Sequence, residues 1–458
     1  MSAEVLAHID ATLDQRLQLL FQLIRIPSVS TDPAYADDVA RCAAWLANTL
    51  REMGAEASVR ETTGHPMVVG HLPGPEDAPH VLFYGHYDVQ PADPLDLWNS
   101  DPFEPVLVKS GDETHIVARG ASDDKGALMT FVEACRAYIE VKGALPLRVS
   151  FLFEGEEESG SPSLAGFLES AKDELDCDLI LVCDTDMWGS DTPAITTSLR
   201  GLVGQELTVT AGDRDLHSGM FGNAAANAAT VLAQALASLR APDGSVTIAG
   251  FYDDVQMPPD DRRAQWAALP FDATAFLGGV GRSVPAGEAD YSVIEQIWAR
   301  PTCEVNGIWG GYTEPGFKTV IPAKAHAKVS FRLAAGQDPV KIRDAFQAHI
   351  RAQMPGDCTV EFTDHGLSPA WAASADNPYL APALDGLAQE WGKSTTCGTG
   401  GTIPIIGALN GILGVDALLV GFARFDNRIH SPNEKYDLSS FHKGMRSWVN
   451  VMDKLAKV

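Results

Sequence analysis

Four short apolar runs constrain this chain most: VLFYG (81–85), LRVSFLF (147–153), LILVC (179–183) and ALLVGFA (417–423). Each reads as a strand buried on both faces, as in a mostly parallel sheet. Between the first two, GALMTFVEACRAYIEVKG (126–143) places apolar residues at helical spacing and ends in Gly143, a helix stop. Strand, helix and strand in this order form a βαβ unit. The fourth run comes far downstream, after a helical pattern from about Pro378 to Trp391, so the sheet is interrupted by an insertion.

The insertion has a different texture. QELTVTA (205–211) and HAKVSFRLA (326–334) alternate apolar and polar residues as half-exposed strands do. AANAATVLAQALASL (225–239) and DPVKIRDAFQAHIRAQM (338–354) read as helices, and GSVTIAGFYDDVQMPPDDRRAQ (244–265) as an exposed excursion. This order predicts an α+β domain with an antiparallel sheet covered on one face. The expected layout is an α/β domain split into residues 1–199 and 378–458, with an inserted α+β domain at 200–377.

Charge removes some function classes. With 34 Lys plus Arg against 61 Asp plus Glu, the formal charge of −27 repels phosphate backbones and anionic membranes, so nucleic acid is not expected as a partner. No segment approaches the 18 or more consecutive apolar residues of a membrane span, so no membrane is expected either. The seven cysteines include no C-x-x-C pair. The start of the chain carries acidic residues where a signal peptide is basic, and both features point to the cytoplasm.

Polar residues cluster just past the carboxyl ends of the expected strands, where open α/β sheets bind ligands. His86-Tyr87-Asp88 follows the first, Glu154 to Glu158 the second, Asp184 the third, and the loop holding His430 the fourth. Arg119 to Gly126 directly precedes the intervening helix. Alone, each has an ordinary explanation: a surface turn at His86, dipole-complementing carboxylates at Glu156 to Glu158, or a helix cap at Asp123-Asp124. Gathered at one sheet edge, two histidines and three carboxylates suffice for two divalent ions if one carboxylate bridges them. Mixed imidazole and carboxylate donors suit Zn²⁺ or another borderline ion better than Ca²⁺ or Mg²⁺.

The segments GHYDVQP, RGASDDKG, FEGEEESGS, DLHSGMFGN, GIWGGYTEPGFKTVIPAK, SFRL, GGTIP and HSPNEKY run in order from residue 85 to 436. They resemble the dinuclear zinc peptidase family of carnosinase, cytosolic dipeptidases, carboxypeptidase G, acetylornithine deacetylase and succinyl-diaminopimelate desuccinylase. The long inserted segment looks most like the dipeptidase branch.

The resemblance implies a zinc-exopeptidase-like catalytic domain and an inserted lid and dimerisation domain. It implies two divalent ions, zinc foremost with manganese or cobalt as alternatives, held by His86 and Asp184, by Glu158 and His430, and by bridging Asp123. Glu157 is then the general base, and Asp88 orients His86. Glu157 and Glu158 take these roles rather than Glu156 because Glu-Glu-Ser-Gly ends this segment in the family. His217 meets the oxyanion from a homodimer partner, Arg332 clamps the substrate carboxylate, and Thr319 and Thr402 touch substrate. The implied reaction is hydrolysis of a dipeptide's amide bond. N-acyl amino acid deacylation, carboxypeptidase action and a non-catalytic metal-binding relative are the alternatives. Gly398-Thr399 stands where dipeptidase relatives commonly carry Arg-Glu, which bears on substrate preference rather than on the metals.

Overall fold

The computed structural model describes residues 2–458 as two compact units. The first comprises residues up to Thr197, Ala373–Cys397 and Ala408–Val458; the second comprises Ser198–Ala372 and Gly398–Gly407.

At the centre of the first unit lies a mostly parallel sheet. Its parallel strands, in spatial order, are Arg148–Glu154, His80–His86, Leu179–Val182 and Ala417–Leu419. Glu56–Arg60 and Met67–Leu72 extend it antiparallel beyond Arg148–Glu154. The apolar runs form strands because both faces are covered: Val81, Phe83, Phe151 and Leu181 are buried on one face, and Leu82, Tyr84, Leu152 and Ile180 on the other.

Helix Lys125–Lys142 packs against the sheet and against helix Leu438–Leu455. It ends at Gly143, whose φ of 79° is left-handed and costs glycine little. Phe131 stacks on Phe83 with centroids 4.0 Å apart, and Trp448 meets Phe131 edge-on at 5.1 Å. Such pairs contribute about 0.5–1.5 kcal/mol each beyond the area they bury. The start of the chain forms helices Ala3–Ala11 and Leu13–Ile24, and the stretch before Trp391 forms Leu380–Trp391.

The second unit is built on an antiparallel sheet in the order Thr302–Gly310, Lys324–Leu333, Gly201–Thr210, Thr359–Ser368. Burial alternates strictly along Gly201–Thr210, so Val203, Leu207 and Val209 face one side. Helices Ala228–Ala237 and Pro339–Ala352 cover that side with Leu232, Ile342 and Phe346. Asn227 and Asp338 cap these helices, accepting the amides of Ala229 and Thr230 and of Val340 and Lys341.

The 244–265 segment departs from its expected exposure, because Val246, Ile248 and Phe251 are buried in this core and Asp260–Ala267 is helical. Polar and proline-rich neighbours masked three core anchors in the sequence.

Candidate active site

In the first unit, His86 closes its strand opposite Glu154, and Asp184 lies two residues beyond Val182. Glu157 and Glu158 begin a short 3₁₀ turn, Glu157–Ser159, while Asp123 precedes the long helix by two residues. His430 stands in the loop after Ala417–Leu419 with φ of 63°, a conformation that a non-glycine residue keeps only when its surroundings hold it.

The side chains converge on Asp123. Its Oδ1 lies 3.1 Å from His86 Nε2, and its Oδ2 lies 2.9 Å from His430 Nε2. Asp184 Oδ2 is 4.0 Å from His86 Nε2, and Glu158 Oε2 is 3.3 Å from His430 Nε2. Two donor groups result, His86–Asp123–Asp184 and Asp123–Glu158–His430, each with its ligand atoms within 4.8 Å of one another. The two oxygens of Asp123 serve one group each. His86 Nε2 is buried and has no aligned hydrogen-bond partner, a feature that calls for explanation in a folded protein. A cation between these groups would satisfy it, so the donor set fits two divalent ions that share Asp123.

The electrostatics agree with that fit. Burial, reinforced by Asp123, pushes the Asp184 carboxyl well above its usual range. Burial opposes protonation of His86, yet Asp123 and Asp88 raise it well above the ordinary histidine value. Hydrogen bonds to Asp123 and Glu158 push His430 up to about 10. The surrounding carboxylates thus favour positive charge at both imidazoles, which divalent ions would supply.

Asp88 organises the cluster from behind. His86 Nδ1 is 3.1 Å from the Asp88 carbonyl oxygen and 3.4 Å from its Oδ1. The Asp88 carboxylate also accepts the amides of Glu157, at 3.2 Å, and Glu158, at 3.0 Å. Gln90 Nε2 donates to Glu158 Oε2 at 2.7 Å. Glu157 joins neither donor group; burial pushes its carboxyl up, with His86 opposing and Glu158, Asp123 and Asp88 adding to the rise. Glu156 turns away: its oxygens accept the amides of His65, at 2.7 Å, and Ser163, at 3.1 Å.

A third acidic group, Glu113–His115–Asp437, already has a cation. Arg424 Nη1 lies 2.7 Å from Glu113 and 3.3 Å from Asp437.

The remaining expected residues lie in the second unit. His217 is exposed, pairs in register with Val320, and accepts the Gly219 amide at Nδ1; the next amide, of Ser218, bonds the Thr319 carbonyl at 3.1 Å. Arg332 Nη1 donates to Thr402 Oγ1 at 2.8 Å, and that hydroxyl donates to the Arg200 carbonyl at 2.6 Å. His217 is therefore next to Thr319, and Arg332 next to Thr402. Gly398 and Gly400 are tightly enclosed: an added Cβ would lie 2.6 Å from Ser198 Oγ and 2.7 Å from Arg200 Nη2, respectively.

Sequence reasoning gave no role to Arg119 or Glu434, although both stand in the segments singled out above. Glu434 is fully buried and accepts from Arg119 and from three amides of the loop that carries Asp123. Its place four residues after His430 was the available signal.

Known proteins agree with this architecture. The chain is 28% identical to the Cys-Gly metallodipeptidase dug1 of Schizosaccharomyces pombe, with 98% of this chain and 97% of the relative covered. It is likewise 28% identical to the human Beta-Ala-His dipeptidase, covering 99% and 93%. Among solved structures, the M20 family metallo-carboxypeptidase Sso-CP2 of Sulfolobus solfataricus superposes with a TM-score of 0.79 at 28% identity, covering 97% of this chain and 99% of that one. Residues 82–454 match the profile described as Peptidase family M20/M25/M40, and the chain belongs to that family.

Proposed function

We propose that this metallopeptidase hydrolyses the amide bond of dipeptides with two divalent ions, zinc foremost. The observation that carries the reading is the division of the Asp123 oxygens between two histidine–carboxylate groups. His86 and Asp184 would hold one ion, Glu158 and His430 the other, and Asp123 both. Bound there, the ions would supply Lewis acidity, acidifying water and polarising the scissile carbonyl.

The chain's own residues do the rest. Glu157 takes the proton from the attacking water as the new C–O bond forms, and returns it to the leaving amine as the tetrahedral adduct collapses and the C–N bond breaks. Asp88 keeps Glu157 and Glu158 in register through their amides and holds the His86 ring through its second nitrogen. His217 donates to the developing oxyanion. Arg332, braced by Thr402, pairs with the substrate carboxylate, for which a planar guanidinium is suited. Thr319 lines the substrate.

Dipeptides are the proposed substrate class because relatives matched over nearly their whole length are named Cys-Gly and Beta-Ala-His dipeptidases. Residues 200–377 act as the lid and dimerisation domain, and 1–199 with 378–458 as the catalytic domain. Homodimer formation is supported by the edge strand Thr302–Gly310, which exposes Val305, Ile308 and Trp309. Among the described residues no helix is long and apolar enough to cross a membrane. The cytoplasmic assignment rests on seven free, buried cysteines.

The test is hydrolysis of a panel of dipeptides and N-acyl amino acids by zinc, manganese and cobalt forms of the protein. Cleavage of N-acyl amino acids alone would replace the dipeptidase reading with deacylation. Two bound ions and no hydrolysis of any compound would point to a metal-holding binding protein.

A further inference from the structure

The mechanism above uses neither Glu434 nor Arg119, yet Glu434 is the most heavily engaged carboxylate beside the site. Its Oε2 accepts from Arg119 Nη1 at 2.7 Å and from the Gly120 amide at 3.0 Å. Its Oε1 accepts from the Ser122 amide at 2.8 Å and the Asp123 amide at 3.1 Å. Four donors on one carboxylate, two per oxygen, leave the group little freedom to move.

These bonds join two loops that are far apart in sequence. Glu434 lies on the His430 loop, and its donors belong to the loop that ends in Asp123. Asn427 adds a second tie: its Oδ1 accepts from Ser122 Oγ at 3.3 Å and from the Arg424 amide at 2.5 Å, and its carbonyl accepts the Lys435 amide at 2.9 Å. Arg119 is itself fixed by the Pro91 carbonyl, at 3.1 Å, and lies over the Trp98 ring.

We propose that Glu434 is a positioning residue that sets the Asp123 carboxylate against His430, so that one carboxylate reaches both metal groups. A staple needed only for folding could be apolar; burying a carboxylate is costly unless every lone pair is used. Here the charge sits where Asp123's own amide is its donor. The inference rests on the reading of His86, Asp123, Glu158, Asp184 and His430 as metal ligands.

Glu434→Gln keeps the shape of the side chain but turns one acceptor oxygen into an amide donor. Whichever oxygen is replaced, two donors lose their acceptor. Zinc affinity, measured by competition with a chromogenic chelator, should fall about 10–100-fold, the loss typical of outer-shell partners of metal ligands. The visible absorption of the cobalt form should change in intensity. Glu133→Gln is the control, since Glu133 is equally buried and pairs with Arg16 at 2.8 Å without touching either donor group. It should lower the melting temperature while leaving zinc affinity and the cobalt spectrum as in the unaltered protein.

Unchanged affinity and spectrum in Glu434→Gln would reduce Glu434 to a folding contact and overturn the proposal. If that variant does not fold, Glu434→Asp decides. It keeps the charge but is one methylene too short to reach both pairs of donors, so weakened zinc binding supports the proposal and unaltered binding refutes it. An unaltered protein that binds no ion at all would sink the ligand reading itself, a result distinct from two ions bound equally well by both proteins.

Discussion

Glu156, Glu157 and Glu158 are adjacent in sequence but lie in three environments, and exchanging each for glutamine should give three phenotypes. Glu157→Gln leaves both donor groups intact, and its amide still bonds Asp88. Removal of the base should lower kcat by about 10²–10⁴-fold, with both ions retained and KM little changed. That range is roughly 2.7–5.5 kcal/mol of transition-state stabilisation. Glu158→Gln takes a carboxylate from the group whose oxygen lies 3.3 Å from His430 Nε2, so one ion should be lost or weakened. Glu156→Gln breaks a carboxylate bond to the amide of His65 or Ser163, leaving a donor unsatisfied at a cost of about 1–3 kcal/mol of stability, with activity per folded molecule retained. The assays are elemental analysis, steady-state kinetics on a cleaved dipeptide, and thermal melting. Metal loss in Glu157→Gln together with full metal and lost turnover in Glu158→Gln would show the assigned register to be wrong by one residue.

Fully loaded protein should carry two divalent ions per chain, and chelation should abolish hydrolysis reversibly; an active preparation without bound transition metal would refute the metallohydrolase mechanism. His217→Ala and Glu157→Ala should each be nearly inactive but regain about a quarter of all sites when co-expressed, since random pairing makes half the dimers mixed and each mixed dimer holds one intact composite site. No recovery in mixed dimers demonstrated by differential tagging would place His217 in its own chain's chemistry or outside it. Arg332→Met should lower kcat/KM for free dipeptides about 10–100-fold, the worth of a charge-assisted hydrogen bond, and have little effect on dipeptides amidated at the carboxyl end. An equal loss on both would argue against a carboxylate clamp.

The parts of the fold that local physics controls are legible in the residue pattern. Apolar runs buried on both faces became the parallel strands, and 3.6-residue spacing ending at Gly143 became the helix Lys125–Lys142. Period-two alternation likewise marked Gly201–Thr210 and Lys324–Leu333 as strands with one buried face. Such patterns are legible because one element's burial repeats along its own residues. How side chains from separate loops meet is set by long-range packing instead. No sequence period reveals that Glu156 turns to His65 and Ser163, that the two oxygens of Asp123 part toward His86 and His430, or that Glu434 gathers three amides of a loop more than 300 residues earlier in the chain. Those arrangements depend on the packing of a sheet whose last parallel strand follows a long insertion, and on buried carboxylates finding donors wherever the folded chain brings them.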